Sequence, residues 1–438
     1  MSSATASGIR RDRPSATLDA PAGRVASRMD APTTSYYLVV AVVSLLVGIG
    51  LVMVLSASMV VAAKESGSSF GTFLKQLLFA ALGTVVIAWA CRRTPAFWRR
   101  VAPPALLATI LLQALVLFTP FGAEVNGNRN WLDLGVVMAQ PSELGKIALV
   151  LYGATMLTRR RSRAGNLTDA LVPFVIPGAA GVLLGVMLGH DLGTALVLCA
   201  IVAAVLFAAG VPGRYFAAGG ALAAVLITLV TVTSENRMTR IRVWLDPSSC
   251  DPFGACRQPL HGRYALADGG WWGVGLGQSR EKWGWLSEPH NDFIFAIIGE
   301  ELGLFGSLLV LGLFAAFALV SYRIVSRTQD QFVRIATAGI LAWVTVQAIV
   351  NIGAVIGLLP VIGVPLPLVS SGGSALVTTM LAAGILLSFA RAEPGCAEAL
   401  AVRRGMLRRT LAVVPVPRRR TASLPTPSKN RDPKKRRR

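Results

Sequence analysis

Asp292 is the residue of this chain best placed to do chemistry. It closes a long polar stretch and stands immediately before the apolar run Phe293-Ile294-Phe295, so its carboxylate sits at a boundary between water and an apolar medium. Partial desolvation disfavours the charged form and moves a carboxyl pKa upward, toward the range useful for proton transfer near neutrality. Such a group suits general-base removal of a hydroxyl proton. A second reading stays open. Asn291 and Asp292 stand at a helix start, where side chains of this type satisfy the free N–H groups of a first turn. Both can hold, because a cap also fixes the position of the carboxylate.

Other charges lie inside apolar runs. Glu143 and Lys146 are three residues apart, on one face of a predicted helix. Charges inside a membrane span are costly and usually pair or line a pathway. A structural ion pair and a supporting contact to substrate are both open for them. Glu300 and Glu301 follow Asp292 by about two helical turns, so one is expected to face the same side as Asp292 and the other a neighbouring helix. No histidine among His190, His261 and His290 has zinc spacing to a cysteine. The glycines from Gly273 to Gly277 follow no strand and open no long helix. Close backbone packing accounts for them better than a dinucleotide site.

The elements that must position these residues are membrane helices. Of 438 residues, 53% are hydrophobic and 15% charged, with a mean hydropathy of +0.59, which excludes an ordinary soluble domain. Apolar runs of spanning length fall at 37–61, 74–91, 102–120, 139–157, 170–188, 192–210, 214–233, 292–320, 335–357 and 373–390. The fold class expected is an all-α integral membrane protein of about ten helices. One long extracellular loop, 234–291, joins the seventh to the eighth. A membrane domain over 37–391 is flanked by basic tails, 1–36 and 392–438. The formal charge of +21 comes mainly from those tails and the short loops between alternate spans, which hold most of the 43 Lys and Arg residues. That asymmetry places both termini in the cytoplasm. The tail ending Lys434-Lys435-Arg436-Arg437-Arg438 is then expected to lie on anionic lipid or an acidic partner rather than on nucleic acid.

Three of the segments left outside are informative: 121–138, 234–291 and 358–372. The last holds three prolines and two glycines and must break helix. At membrane depth, broken helix survives only buried in protein or lining a cavity. Cys250 and Cys256 share the second segment, where disulfides are permitted; a bridge between them is one of two open states.

The run NGNRNWLDLG followed by QPSELGK (126–146), the stretch from Gly269 to Gly303, and that from Gln347 to Ser374 resemble the signatures of the SEDS family of shape, elongation, division and sporulation proteins. The likeness covers about 37–391 and is strongest to the division branch in its actinobacterial form, the elongation branch being the nearest relative to exclude. The resemblance implies a glycosyltransferase that polymerises lipid II into glycan strands at the division septum, in the bacterial plasma membrane. It implies pairing with a class B penicillin-binding protein, the septal transpeptidase, among other division proteins. It makes Asp292 the catalytic residue and places Glu143 and Lys146 beside a central cavity.

Glycan polymerisation joins a sugar hydroxyl to an anomeric carbon that carries a lipid pyrophosphate. It needs a base for the proton and cations for the developing charge. Arg129 and Arg240 match basic positions of the family and are the preferred cations, with Lys282 and, among the carboxylates, Glu300 in support. Arg257 and Arg263 are expected to be ordinary solvated loop charges. A divalent ion, Mg or Mn, is an alternative source of positive charge, although no ligand cluster names it. The cysteine pair departs from the usual family pattern, which puts detailed carry-over for 247–263 in doubt. A lipid II flippase, an elongation polymerase and a non-catalytic division scaffold are the competing functions. Charge gathered at the outer face, rather than at the midplane, favours polymerisation over transport.

Overall fold

The computed structural model describes residues 31–66, 69–125, 127–133, 135, 138–161, 172–246, 250–251 and 254–402. Residues up to Ala397 form one compact unit; a second begins at Glu398 and is described as far as Val402, as a helical stretch. Most of both expected tails lies outside the described residues.

The compact unit is helical. In chain order it contains α1 (Thr34–Ser66), α2 (Gly71–Ala90), α3 (Pro95–Phe118), α4 (Pro141–Arg161), α5 (Phe174–Leu188), α6 (Leu192–Ala208), α7 (Gly213–Val232), α8 (Glu235–Leu245), α9 (Arg257–Gly269), α10 (Ile294–Arg327), α11 (Gln331–Val355) and α12 (Gly373–Arg391). Each expected apolar run falls on one of these helices. Seven of them, α1, α2, α3, α7, α10, α11 and α12, are long and apolar enough to cross a membrane. The apolar helices α5 and α6 are shorter, and α4 carries Glu143, Lys146 and a terminal run of arginines. The first turns of α5 (Phe174–Ala180) are π-helical around Pro177, the wider turn that absorbs a proline without ending the helix.

Two expected loops carry structure of their own. The first external segment is a small antiparallel sheet: β1 (Gly122–Val125) pairs with β2 (Asn128–Asp133), and β2 with β3 (Met138–Ala139). Gly127, at φ +80°, lies in the turn that leads into β2. The long segment between α7 and α10 contains α8, α9 and a 3₁₀ turn at Glu281–Trp283.

The helix that follows Asp292 is broken. Gly303 adopts φ 68°, ψ −162° inside α10, a region essentially restricted to glycine. The portion after the break, Leu304–Arg327, is about 36 Å long and spans the roughly 30 Å hydrocarbon core without help. Ile294–Leu302 is thereby released from spanning and is almost wholly buried. The chain arriving from α9 docks into the break: the N–H groups of Val274 and Gly275 donate to the carbonyls of Glu300 and Glu301, and that of Leu304 donates to the Gly270 carbonyl. The Trp272 ring lies tilted against Phe305, two residues beyond the break, with centroids 4.9 Å apart, and Trp272 is 82% exposed beside Trp271. Tryptophan is enriched at membrane–water interfaces.

Packing differs sharply around the bundle. Helices α11 and α12 are the most buried spans. Helix α7 buries only Thr231 and packs on α8. A Cβ at Gly303 would collide with the backbone of Trp271 and Gly273, whereas Gly312 on the same helix has open space around it. Gly303→Ala is therefore expected to lower stability by at least about 2 kcal/mol, read as a fall in the thermal midpoint of the purified protein. Gly312→Ala should leave that midpoint within a degree or two of wild type. Equal midpoints for the two variants would refute the docking described.

Candidate functional site

The site is built on the non-helical segment between α11 and α12. Its backbone carbonyls have no helical partners, and side chains supply them. Asn351 Nδ2 donates to the Val364 carbonyl at 2.8 Å and to the Asp292 carbonyl at 2.8 Å. One turn earlier on the same face of α11, Gln347 Nε2 donates to the Pro365 carbonyl at 2.9 Å. Gln76 on α2 reaches the Ser370 carbonyl. Ser370 Oγ donates to the Asn291 carbonyl and accepts from the Leu366 N–H, and the Ser371 N–H donates to the His290 carbonyl. The 288–292 and 364–371 segments are thus laced together around Asp292.

Asp292 does not cap α10. The helix begins after Phe293 with no side-chain cap, so the capping role left open above is not realised. Its Oδ1 is buried without a hydrogen-bond partner among the described residues. Asp292 precedes the span, and its carboxyl is pushed up to about 7, first by burial and then by the Glu288 carboxylate. Arg240 pulls in the opposite direction, and Asp191 adds a smaller upward push. Gly363, at φ +72°, brings backbone against the carboxylate: a Cβ there would lie 3.4 Å from Asp292 Oδ2. The non-glycine residues with positive φ among those described are His190, Glu288 and Leu368. Glu288 and Leu368 belong to the two segments laced around Asp292, and His190 directly precedes Asp191; each costs on the order of 1 kcal/mol or more.

Asp292 lines a crevice of about 10 Å³ that shares Val361 and Ile362 with a larger cavity of about 490 Å³. The larger cavity runs between α6, α7, α8 and residues 360–362, and exposes Asp191, Arg237 and Arg240. Asp191 is fully engaged. It accepts from Asn130 Nδ2 at 2.7 Å, Gln140 Nε2 at 2.9 Å, and the N–H and hydroxyl of Thr194, which ties the sheet to the N-terminus of α6. Arg240 touches the Val361 carbonyl at 3.4 Å and is otherwise exposed to the cavity.

Of the expected site residues, the structure brings Arg240 alone to Asp292. Glu143 and Lys146 pair at 2.7 Å, both buried. Lys146 also donates to Gln347 Oε1, which accepts the Trp343 indole N–H as well. The pair therefore supports Asp292 through Gln347 and the 364–365 backbone rather than by contact. Arg129 donates to the carbonyls of Val116 and Thr119 at the end of α3 and lines a separate hollow with Glu124 and His190.

Lys282 is not a solvated external cation. It is 3% exposed and bonds to Glu301 Oε1 at 3.1 Å and the Gly277 carbonyl at 2.7 Å. Glu300 accepts from Ser279 Oγ and the Arg280 N–H, and Glu301 accepts from Ser56 on α1. This cluster fastens the loop to the α10 break, away from the crevice, and Glu300 does not face it. Arg257 is not a free loop charge either, since it donates to the carbonyls of Gly284 and Trp285. Cys250 and Cys256 are joined as a disulfide with Cα atoms 5.9 Å apart. Among the described residues no group of three His, Cys, Asp or Glu side chains is arranged for a metal.

A family model described as a cell cycle protein, FtsW/RodA/SpoVE, matches residues 36–394. The chain belongs to the FtsW/RodA/SpoVE family. It is 39% identical over 91% of its length to the probable peptidoglycan glycosyltransferases FtsW of Mycobacterium tuberculosis and Mycobacterium bovis, covering 75% of each. It is 34% identical to stage V sporulation protein E of Bacillus subtilis, over 82% of this chain and 98% of that one. Among solved structures it resembles a chain of a peptidoglycan synthase complex said to coordinate polymerization and crosslinking. That match has a TM-score of 0.64 and 27% identity, and covers 81% of this chain and 96% of that one. It also resembles the rod shape determining protein RodA of Thermus thermophilus, with a TM-score of 0.60 and 25% identity over 81% of this chain and 96% of that one. Like other family members, the chain is a multi-pass membrane protein.

Burial of a carboxylate that prefers to be protonated opposes folding at high pH. With its folded-state pKa raised above the unfolded value, stability is greatest below the unfolded pKa and declines as pH rises toward 7. Asp292→Asn is expected to raise the thermal midpoint at pH 8 and to lose most of that advantage as pH falls to about 4. An advantage independent of pH would contradict the desolvated carboxylate. Lys146→Ala is expected to cost about 3–5 kcal/mol, because Glu143 would remain buried without its partner. Wild-type thermal stability in that variant would remove the pair's structural role.

Proposed function

We propose that this family member is a peptidoglycan glycosyltransferase that polymerises lipid II, with Asp292 as the general base. The observation that carries the reading is the unpartnered, desolvated Oδ1 of Asp292 beside a cavity that also presents Arg240. In the step proposed, the hydroxyl oxygen of one sugar attacks the anomeric carbon of another. Its proton passes to Asp292 as the new C–O bond forms. The bond from the anomeric carbon to the lipid pyrophosphate breaks, and the electron pair leaves with the pyrophosphate oxygen. Arg240, with its guanidinium exposed to the cavity, offsets that charge. Glu143, Lys146 and Gln347 hold the backbone that fixes the base.

The mycobacterial relatives bear the name of this activity, and the likeness to a peptidoglycan synthase complex supports pairing with a crosslinking partner. We assign that partner as a class B penicillin-binding protein and the site of action as the division septum. All ten apolar segments cross the membrane in this reading, with both termini cytoplasmic. The exposed charges then lie at the outer ends of helices, where a polymerase needs them, rather than at the midplane, where a flippase would.

The test is purified protein with its transpeptidase partner, given lipid II. Wild type is expected to make glycan strands and Asp292→Ala to lose at least about a hundredfold in rate, the worth of a general base. Strands made equally well by the variant would overturn the assignment of the base. Lipid II translocation without strand synthesis by wild type would favour the flippase.

A further inference from the structure

A second cavity, of about 350 Å³, shares Ala354 and Val361 with the Asp292 crevice. Its wall comes from α8, the start of α9, Ser287 and the backbone of 354–361, and it presents Arg240, Arg257 and Arg263 with no carboxylate. Asn236, Gln258 and Trp244 complete a lining of amides and one aromatic face. Three guanidinium groups around one hollow, unopposed by any acid on its wall, are an anion site.

The structure also shows how the cations are held. Arg257 is anchored by the carbonyls of Gly284 and Trp285. It follows directly on Cys256, which is buried and bridged to Cys250. Arg263 spends only Nε within the chain, on the Pro259 carbonyl at 3.2 Å, and its stem lies 3.5 Å from where a Cβ on Gly357 would be. Its two terminal nitrogens have no partner within the described chain, so a half-buried fork of donors faces the hollow.

We propose that this cavity is a subsite for a carboxylate-bearing part of the substrate, the peptide attached to the sugar, remote from the reacting carbon. The assignment rests on the polymerase reading. A prenyl pyrophosphate must emerge toward lipid, and the cavity beside Asp191 provides that exit through Leu196 on α6 and Ile227 on α7. The arginine cavity has no wall from the lipid-exposed helix α7. It suits a water-soluble anion, and a bidentate guanidinium matches a carboxylate well. Arg240 lines both cavities, which places the two anionic ends of one sugar unit on either side of it.

The test is direct binding of two synthetic lipid II preparations to the detergent-purified protein, one with free peptide carboxylates and one with them amidated. Wild type is expected to bind the free-carboxylate form about tenfold more tightly, equivalent to about 1.4 kcal/mol. Arg263→Gln should erase the difference by weakening only that form, and Arg263→Lys should retain much of it. Binding of undecaprenyl pyrophosphate, which lacks the peptide, should be the same in wild type and Arg263→Gln. No preference in wild type would overturn the proposal, as would a preference that survives Arg263→Gln. Weaker undecaprenyl pyrophosphate binding in Arg263→Gln would reassign the cavity to the pyrophosphate and overturn it too. Strand synthesis by the same wild-type preparation reports separately on the polymerase reading, so the two can fail independently.

Discussion

The Asn351 side-chain amide donates from one nitrogen to the carbonyls of both Asp292 and Val364. Those carbonyls lie on two stretches of broken backbone, one leading into α10 and one between α11 and α12. Neither stretch has a regular hydrogen-bond ladder, and an unmet carbonyl in a buried setting costs on the order of 1–3 kcal/mol. A polar side chain on a well-packed helix meets both requirements at once and fixes their separation. Gln347 repeats the device one turn lower and carries it to the Glu143–Lys146 pair. The line from a buried ion pair through two amides to the backbone of Asp292 explains how charges that never touch the cavity govern its geometry.

The second constraint is the break at Gly303. A helix running unbroken from Asp292 to the far side of the membrane would leave no place for the incoming loop. With the break, the loop from α9 pairs with Glu300 and Glu301 through backbone, and their side chains hold Ser279, Arg280 and Lys282. Two buried glutamates beside one lysine serve here as fasteners. The site is therefore held from two sides: by α11 through amides, and by α1 and the loop through carboxylates.

Much of this was legible from residue types. Apolar run lengths located the helices, and the position of Asp292 before Phe293 marked it as a carboxylate at a boundary. The prolines of 358–372 announced broken backbone that had to be buried. Other features were illegible for physical reasons. Residue spacing cannot say whether a carboxylate caps a helix, because that depends on backbone dihedrals; here Phe293 takes the cap position and Asp292 is left unpartnered. Lys282 read as an exposed cation because its local sequence is polar, yet it is buried through contacts with residues as distant as Ser56. Asp191 lies in the short polar break between the runs 170–188 and 192–210, and an Asp three residues before Thr194 is a helix-capping signal. Gln347 and Asn351 had a visible signal too, two amides four apart on an otherwise apolar helix.

A carboxylate kept half-ready to accept a proton is costly to the fold, and the site retains it along with three strained residues nearby. The central claim is that this cost serves proton transfer. The most direct measurement is the rate of strand synthesis by the wild-type protein with its partner, across pH 5 to 9 at lipid II well below KM, where the rate reports the free protein. Because the base must be deprotonated to act, the rate is expected to rise with pH through a midpoint near 7. A rate already at its plateau at pH 5, with any midpoint near the ordinary carboxylate range of about 4, would contradict it.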